Sequence, residues 1–122
     1  MFIARAASMI PPQTVQGVLT SAPVELASVQ RHGFVVVNSN PAEGQVAAKL
    51  EQSADDETWT DVGNGETLVS GIAVLDYSLA PAQRASSQTL YLRCTLKATA
   101  GKHVTASAVV VPVAQSAPIY RK

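Results

Sequence analysis

The chain has a single cysteine, Cys94, so it can form no internal disulfide, and no Cys/His cluster of zinc-site spacing surrounds it. This usage points to folding in a reducing compartment. Charge of one sign is also missing. Nine basic and nine acidic side chains cancel, which removes the positive field that nonspecific nucleic-acid binding draws on. Aromatics are few: one tryptophan, three tyrosines and two phenylalanines are too sparse for an extended sugar-stacking platform. No apolar run approaches membrane-spanning length. In "MFIARAASMIPPQ" the apolar runs are interrupted by Arg5 and stopped by Pro11 and Pro12, short of a secretory h-region. No segment has helical periodicity over a useful length. The expectation is a protein without nucleic-acid or membrane partners and without a cofactor.

What the chain does have is alternation. Its 122 residues suit one domain with a real core. In "GQVAAKLEQ", Val46, Ala48 and Leu50 share one face while Lys49 and Glu51 take the other, the period of a half-buried strand. "QTLYLRCTLKA" repeats the pattern with Leu90, Leu92, Cys94 and Leu96 inward. "HVTASAVVVPV" follows with Val104, Ala106, Ala108 and Val110 inward, and "TAGKH" reads as the hairpin loop that would make these two strands neighbours. "VAAKLEQSADDETWTDV" reads as another hairpin, closed by an acidic turn. "HGFVVVNS" carries four consecutive apolar residues, Phe34 to Val37, and predicts a strand buried on both sides or one whose outer face meets a partner. "TLVSGIAVLDYSLA" changes phase at Ser70 and Gly71, where a bulge or bend is expected. With "TVQGVLT" and "VELASV" the total is about seven or eight short strands, the spacing of an all-β antiparallel sandwich or barrel.

Candidate chemistry is thin. Asp55, Asp56, Glu57 and Asp61 are oxygen donors of the kind calcium takes, but they lack the glycine-punctuated spacing of a cation loop and read as a solvated turn. His32 and His103 are far apart in sequence and each begins a strand, with no nucleophile motif nearby. Cys94 shares a face with three leucines and reads as a small hydrophobe. "GNG" at Gly63 to Gly65 marks a loop. Trp59 has two readings, a ring closing one end of the core or an exposed platform, and core packing is favoured. No set of residues converges on catalysis, and the expectation is a nonenzymatic protein.

The ends differ from the middle. Residues 1–12 and 114–122 are rich in proline, alanine and small polar residues and read as extended arms flanking a sandwich domain at 13–113, so trimming them should spare folding. Their apolar residues, Phe2, Ile3, Met9 and Ile10 at one end and Ile119 and Tyr120 beside Arg121 at the other, read as interface anchors. Phe34, Val35 and Val37 join them as interface candidates from the unbroken apolar run. That run also suggests self-association, most simply as a two-fold homodimer.

One resemblance goes further. "KLEQSADDETWTDV", followed at a distance by "LYLRCTLKATAGKHVTASAVVV", resembles the small jelly-roll decoration or cement proteins of tailed bacteriophages, including those of short-tailed phages. In those proteins a strand ending in QxSxD turns into xxWxDV, and a later YLR strand runs into a hairpin and a terminal valine-rich strand. Glu57 departs from the pattern, standing where a glycine often follows the turn acid. The resemblance covers about half of the chain. It implies an antiparallel β-sandwich of jelly-roll type that binds the major capsid protein on the outside of an assembled shell, as a symmetric oligomer, and resists the pressure of packaged DNA. The implied location is the virion surface, with the host cytoplasm during assembly. The competing expectation is a carbohydrate- or receptor-binding β-sandwich of a phage tail or adhesion protein, which would need Trp59 exposed among polar side chains.

Overall fold

A computed structural model describes residues 2–3, 6–26, 32–63, 65–79 and 90–114. These residues form two antiparallel sheets packed as a sandwich. The strands are β1 (Phe2–Ile3), β2 (Ala7–Gln16), β3 (Val18–Thr20), β4 (Val24–Leu26), β5 (His32–Ser39), β6 (Val46–Ser53), β7 (Thr60–Asp61), β8 (Thr67–Val69), β9 (Ile72–Ser78), β10 (Leu90–Ala98) and β11 (His103–Ala114). In the first sheet β1 and β2 share one edge of β11, followed by β5 and then β9. In the second, β3 and β4 share one edge of β10, followed by β6, whose far side takes β7 and β8.

The core lies between the sheets and is built from the residues the alternation selects. Leu90, Leu92, Cys94 and Leu96 from β10 meet Val104, Ala106, Ala108 and Val110 from β11, with Val46, Ala48 and Leu50 from β6 and Val35 and Val37 from β5 beside them. All are buried. Mixing leucine on one sheet with alanine and valine on the other lets large and small side chains interdigitate at interior density.

The expected hairpin between β10 and β11 does not form. The two strands belong to opposite sheets, and Thr99–Lys102 carries the chain across the sandwich. Both strands bury one whole face, and alternation cannot distinguish a neighbour within a sheet from a partner across the core. The hairpin of β6 and β7 does form, pairing Glu51 with Asp61 and Gln52 with Thr60. "TVQGVLT" divides at Gly17, whose φ of 72° turns the chain from the end of β2 into β3 of the other sheet. The phase change at Gly71 is a crossing of the same kind, with φ of 97°, from β8 to β9.

The three buried polar side chains among the described residues are serines at places where the chain leaves a strand: Ser21, Ser39 and Ser53. Ser39 Oγ donates to the Val69 carbonyl and accepts from the Gly71 N–H, each at 3.1 Å, which ties the end of β5 to the β8–β9 crossing. Ser21 Oγ accepts the Cys94 N–H at 3.0 Å where β3 and β4 part. Each hydroxyl replaces a ladder bond that a bend removes, as buried backbone groups require.

The N-terminal segment is not a free arm. β1 and β2 hydrogen-bond along β11, from Phe2 opposite Ala114 to Gln16 opposite His103, and Met9 and Ile10 lie in the core. Their role as interface anchors is corrected, and the pairing of β1 and β2 with β11 runs against the expectation that residues 1–12 form an arm. Proline pairs suggest an arm, but Pro11 and Pro12 sit in an edge strand, where an N–H can be spared. Ile119, Tyr120 and Arg121 lie outside the described residues.

Two substitutions test this packing. Ile10→Ala should lower unfolding stability by about 2–5 kcal/mol in urea titrations, and a chain starting at Gln13 should melt well below the full chain. Gly33→Ala should also destabilise, by more than about 1 kcal/mol, because a Cβ there would stand 2.5 Å from the Val111 carbonyl and 2.7 Å from the Tyr77 hydroxyl. No melting shift for Gly33→Ala would mean that both the Val111 backbone and the Tyr77 ring can give way.

Candidate interaction surfaces

Each sheet turns one face outward, and the two faces differ in chemistry. On the first sheet the residues of β11, β5 and β9 that point away from the core line up in rows across the strands. Val109, Val36 and Val74 form one row; Val111, Phe34 and Asp76 the next; Ser107, Asn38 and Ile72 the row on the other side. Ile72 is 71% exposed, Val74 57% and Phe34 40%, while the valines of the two inner strands are half-buried by their neighbours. The result is an apolar strip over three strands. "HGFVVVNS" is therefore buried on one side only, with Val35 and Val37 in the core and Phe34 and Val36 outside. The interface assignment fits the position of Phe34 and is corrected for Val35 and Val37, whose accessible surface is 0%.

The outer face of the second sheet is charged at its centre. Arg93, Glu51 and Asp61 lie opposite one another across β10, β6 and β7. Arg93 Nε donates to Glu51 Oε1 at 2.9 Å, and Lys49 Nζ lies 3.8 Å from Glu51 Oε2 and 3.6 Å from Asp61 Oδ1. Trp59, half-buried in the β6–β7 turn, lies under Arg93, with the guanidinium carbon 4.2 Å from the ring centroid. The favoured reading of Trp59 as a core residue is corrected: it is absent from the buried core and lies partly buried beneath Arg93. Two cations, two anions and one ring face balance each other, and the guanidinium is held by both the carboxylate and the π-face.

No known protein family, curated protein or solved structure matches the chain.

In the acidic turn next to Trp59 the Asp55 carboxylate is engaged internally. Asp55 Oδ1 accepts the Glu57 and Thr58 N–H groups, each at 2.9 Å, and the Ser53 hydroxyl at 2.9 Å. These bonds, the Thr58 N–H foremost, hold the Asp55 carboxyl down to about 2. Asp56 takes the left-handed conformation, φ 62°, a region that aspartate tolerates better than most residues. Asp61 faces Lys49. These four acids build a turn and an ion pair, and among the described residues no three His, Cys, Asp or Glu side chains are grouped as metal ligands.

His32 pairs with Val113 and His103 with Gln16, so they stand at opposite ends of β11, roughly 33 Å apart along the strand. They share no site. Cys94 is buried with its thiol pushed up to about 12 by that burial, which makes it an inert packing group. The residues overlooked in sequence are Ile72 and Val74. The signal was present, since "IAVL" is apolar in both phases of a strand that has one buried face.

Trp59→Ala should cost more than the ~0.5–1 kcal/mol of an exposed cation–π contact, because the ring is also partly buried, and less than Leu92→Ala, which should cost about 2–5 kcal/mol. Iodide should quench Trp59 fluorescence in the folded protein; a fully shielded ring would overturn this placement. The Asp55 carboxyl should titrate with a midpoint of about 2 by NMR. Because its folded value lies below its unfolded one, its contribution is present above about pH 4 and is lost as the pH falls through about 2.

Proposed function

We propose that this protein is a structural virion component that binds the outside of an assembled phage capsid and stabilises it, as a cement or decoration protein. The observation that carries the reading is the apolar outer strip of Phe34, Val36, Val74, Val109 and Val111. An apolar strip on a rigid sheet suits docking on a broad, shaped surface better than it suits uptake of a small molecule.

The strand order supports the reading. Counting each interrupted pair, β1 with β2, β3 with β4 and β7 with β8, as one strand gives eight, with the first, eighth, third and sixth in one sheet and the second, seventh, fourth and fifth in the other. We read this as jelly-roll connectivity, an architecture frequent in viral capsid domains and also in lectins. The "KLEQSADDETWTDV" resemblance falls on β6, its turn and β7, which makes it a likeness of one hairpin and its closing tryptophan. Because function resides in sites and not in folds, the outer strip has to bear the test.

A second reading, a carbohydrate-binding module, draws support from the position of Trp59 among Arg93, Glu51 and Lys49. Against it, Arg93 already occupies one face of the ring that a sugar would stack on.

Cosedimentation with undecorated capsids of the cognate phage discriminates. The full chain should bind and Phe34→Asp should bind at least about tenfold more weakly, as for a buried apolar anchor. Trp59→Ala should bind normally. A chain ending at Ala114 should weaken binding to the extent that the last residues add anchors. Unchanged binding by Phe34→Asp would move the interface elsewhere. Failure of the full chain to sediment with shells, together with glycan binding abolished in Trp59→Ala, would favour the carbohydrate reading.

A further inference from the structure

We infer that a second copy of this chain pairs with the free edge of β9, antiparallel across a two-fold axis at Val74, so that two sheets join into one.

Among the described residues the two sheets have four edges between them, and three are blunted. The β1–β2 edge carries Pro11 and Pro12, and its pairing with β11 shifts register between Ala106 and Ala108 and again before Val109. The β3–β4 edge is broken by Ser21–Pro23 into two strands of three residues. The β7–β8 edge is broken into strands of two and three residues. β9 differs. Its seven residues, "IAVLDYS", hold an unbroken register against β5 from Ile72 opposite Asn38 to Ser78 opposite His32. It contains no proline, lysine or bulge, and among the described residues β5 is its only strand partner. A long, regular edge that presents apolar side chains is what soluble proteins ordinarily avoid unless something covers it. Ile72 and Val74, the most exposed of its apolar residues, stand on that edge.

A second copy fits because the pairing needs no foreign sequence and no foreign charge. The chain is formally neutral, so no long-range repulsion opposes its approach to itself. In an antiparallel register centred on Val74, Val74 meets Val74 of the other copy on the outer face, and Ala73 meets Leu75 on the inner face. Asp76, the one charged residue of β9, meets Ile72. The two Asp76 carboxylates then lie four steps apart, about 14 Å, beyond the Debye length of ~8 Å at physiological salt. A register centred on Asp76 would instead oppose like charges. The apolar strip of each copy runs into the other through the Val36–Val74 row, giving one apolar face across both copies.

The area sets the strength. In this register five residues of each copy pair, Ile72 to Asp76, spanning about 17 Å, and a sheet with its side chains is about 10 Å deep, so each copy contributes roughly 170 Å² of projected face. The whole contact falls below the ~1,200 Å² at which stable interfaces begin. The dimer is therefore concentration-dependent, with a dissociation constant in the micromolar range or weaker.

Sedimentation equilibrium of the full chain up to about 1 mM should show a monomer–dimer equilibrium of this strength. Val74→Lys should leave it monomeric with an unchanged melt, while Leu68→Lys, on the other sheet, should dimerise normally. Under mild oxidation Val74→Cys should link two copies readily. Ile72→Cys should not, because the two Ile72 positions lie about 14 Å apart, too far for a disulfide. Buried Cys94 keeps the background silent. Monomer at every concentration, dimerisation unaffected by Val74→Lys, or equal crosslinking at both positions would overturn the inference. So would β9 amides equally protected from exchange at all dilutions, since the chain itself would then cover the edge. Dimerisation without capsid binding would sink the cement reading and leave this one standing; capsid binding by a strict monomer would do the reverse.

Discussion

Everything in this molecule depends on the dry layer between two sheets in which β10 faces β11. Each contributes a run of alternate residues with almost no accessible surface, and together they pair directly with β1 to β6, while β7, β8 and β9 pair with β6 and β5. A sandwich of this size has no second core to fall back on, so the period-two pattern of these two strands is a constraint on the whole chain. A one-residue slip in either would carry four inward side chains to solvent.

The second constraint follows from the first. To place consecutive strands on opposite sides of one core, the chain must cross between sheets repeatedly, and every crossing interrupts backbone hydrogen bonding. The chain meets this with inexpensive chemistry: glycines at φ of 72° and 97°, and serine hydroxyls that take over the lost bonds. The Asn40–Gly44 crossing uses a carboxylate, with Glu43 Oε1 accepting the Thr105 N–H at 2.7 Å where β5 has ended. The polar side chains at these crossings are thus structural.

Surfaces divide the labour differently. The charged clasp of Arg93, Glu51, Lys49 and Asp61 ties the outer face of one sheet to the Trp59 turn, and an internally paired network of this kind presents little net charge to a partner. Among the described residues the apolar strip of the other sheet has no such internal partner. Its residues are valines, one isoleucine and one phenylalanine, stiff side chains that lose little rotamer entropy on contact. The asymmetry between the two faces, more than any single residue, gives the molecule a front and a back.

The sequence by itself determined the fold class and the inward residues of β6, β10 and β11, because burial of one strand face writes directly into alternation: Leu90, Leu92, Cys94 and Leu96 were legible one by one. It also marked the Gly71 crossing, through the phase change that a switch of sheet imposes. Which strands became neighbours was decided only by the tertiary structure. β10 and β11 are joined by four residues and yet lie in different sheets, since hydrogen-bond partners leave no periodic trace. Met9 and Ile10 looked like anchors of an arm because prolines surround them, and only pairing with β11 revealed an edge strand with two core residues. Trp59 was likewise decided in three dimensions. A lone aromatic carries no period, and its place depended on where Arg93, more than thirty residues later in the chain, projected across the sheet.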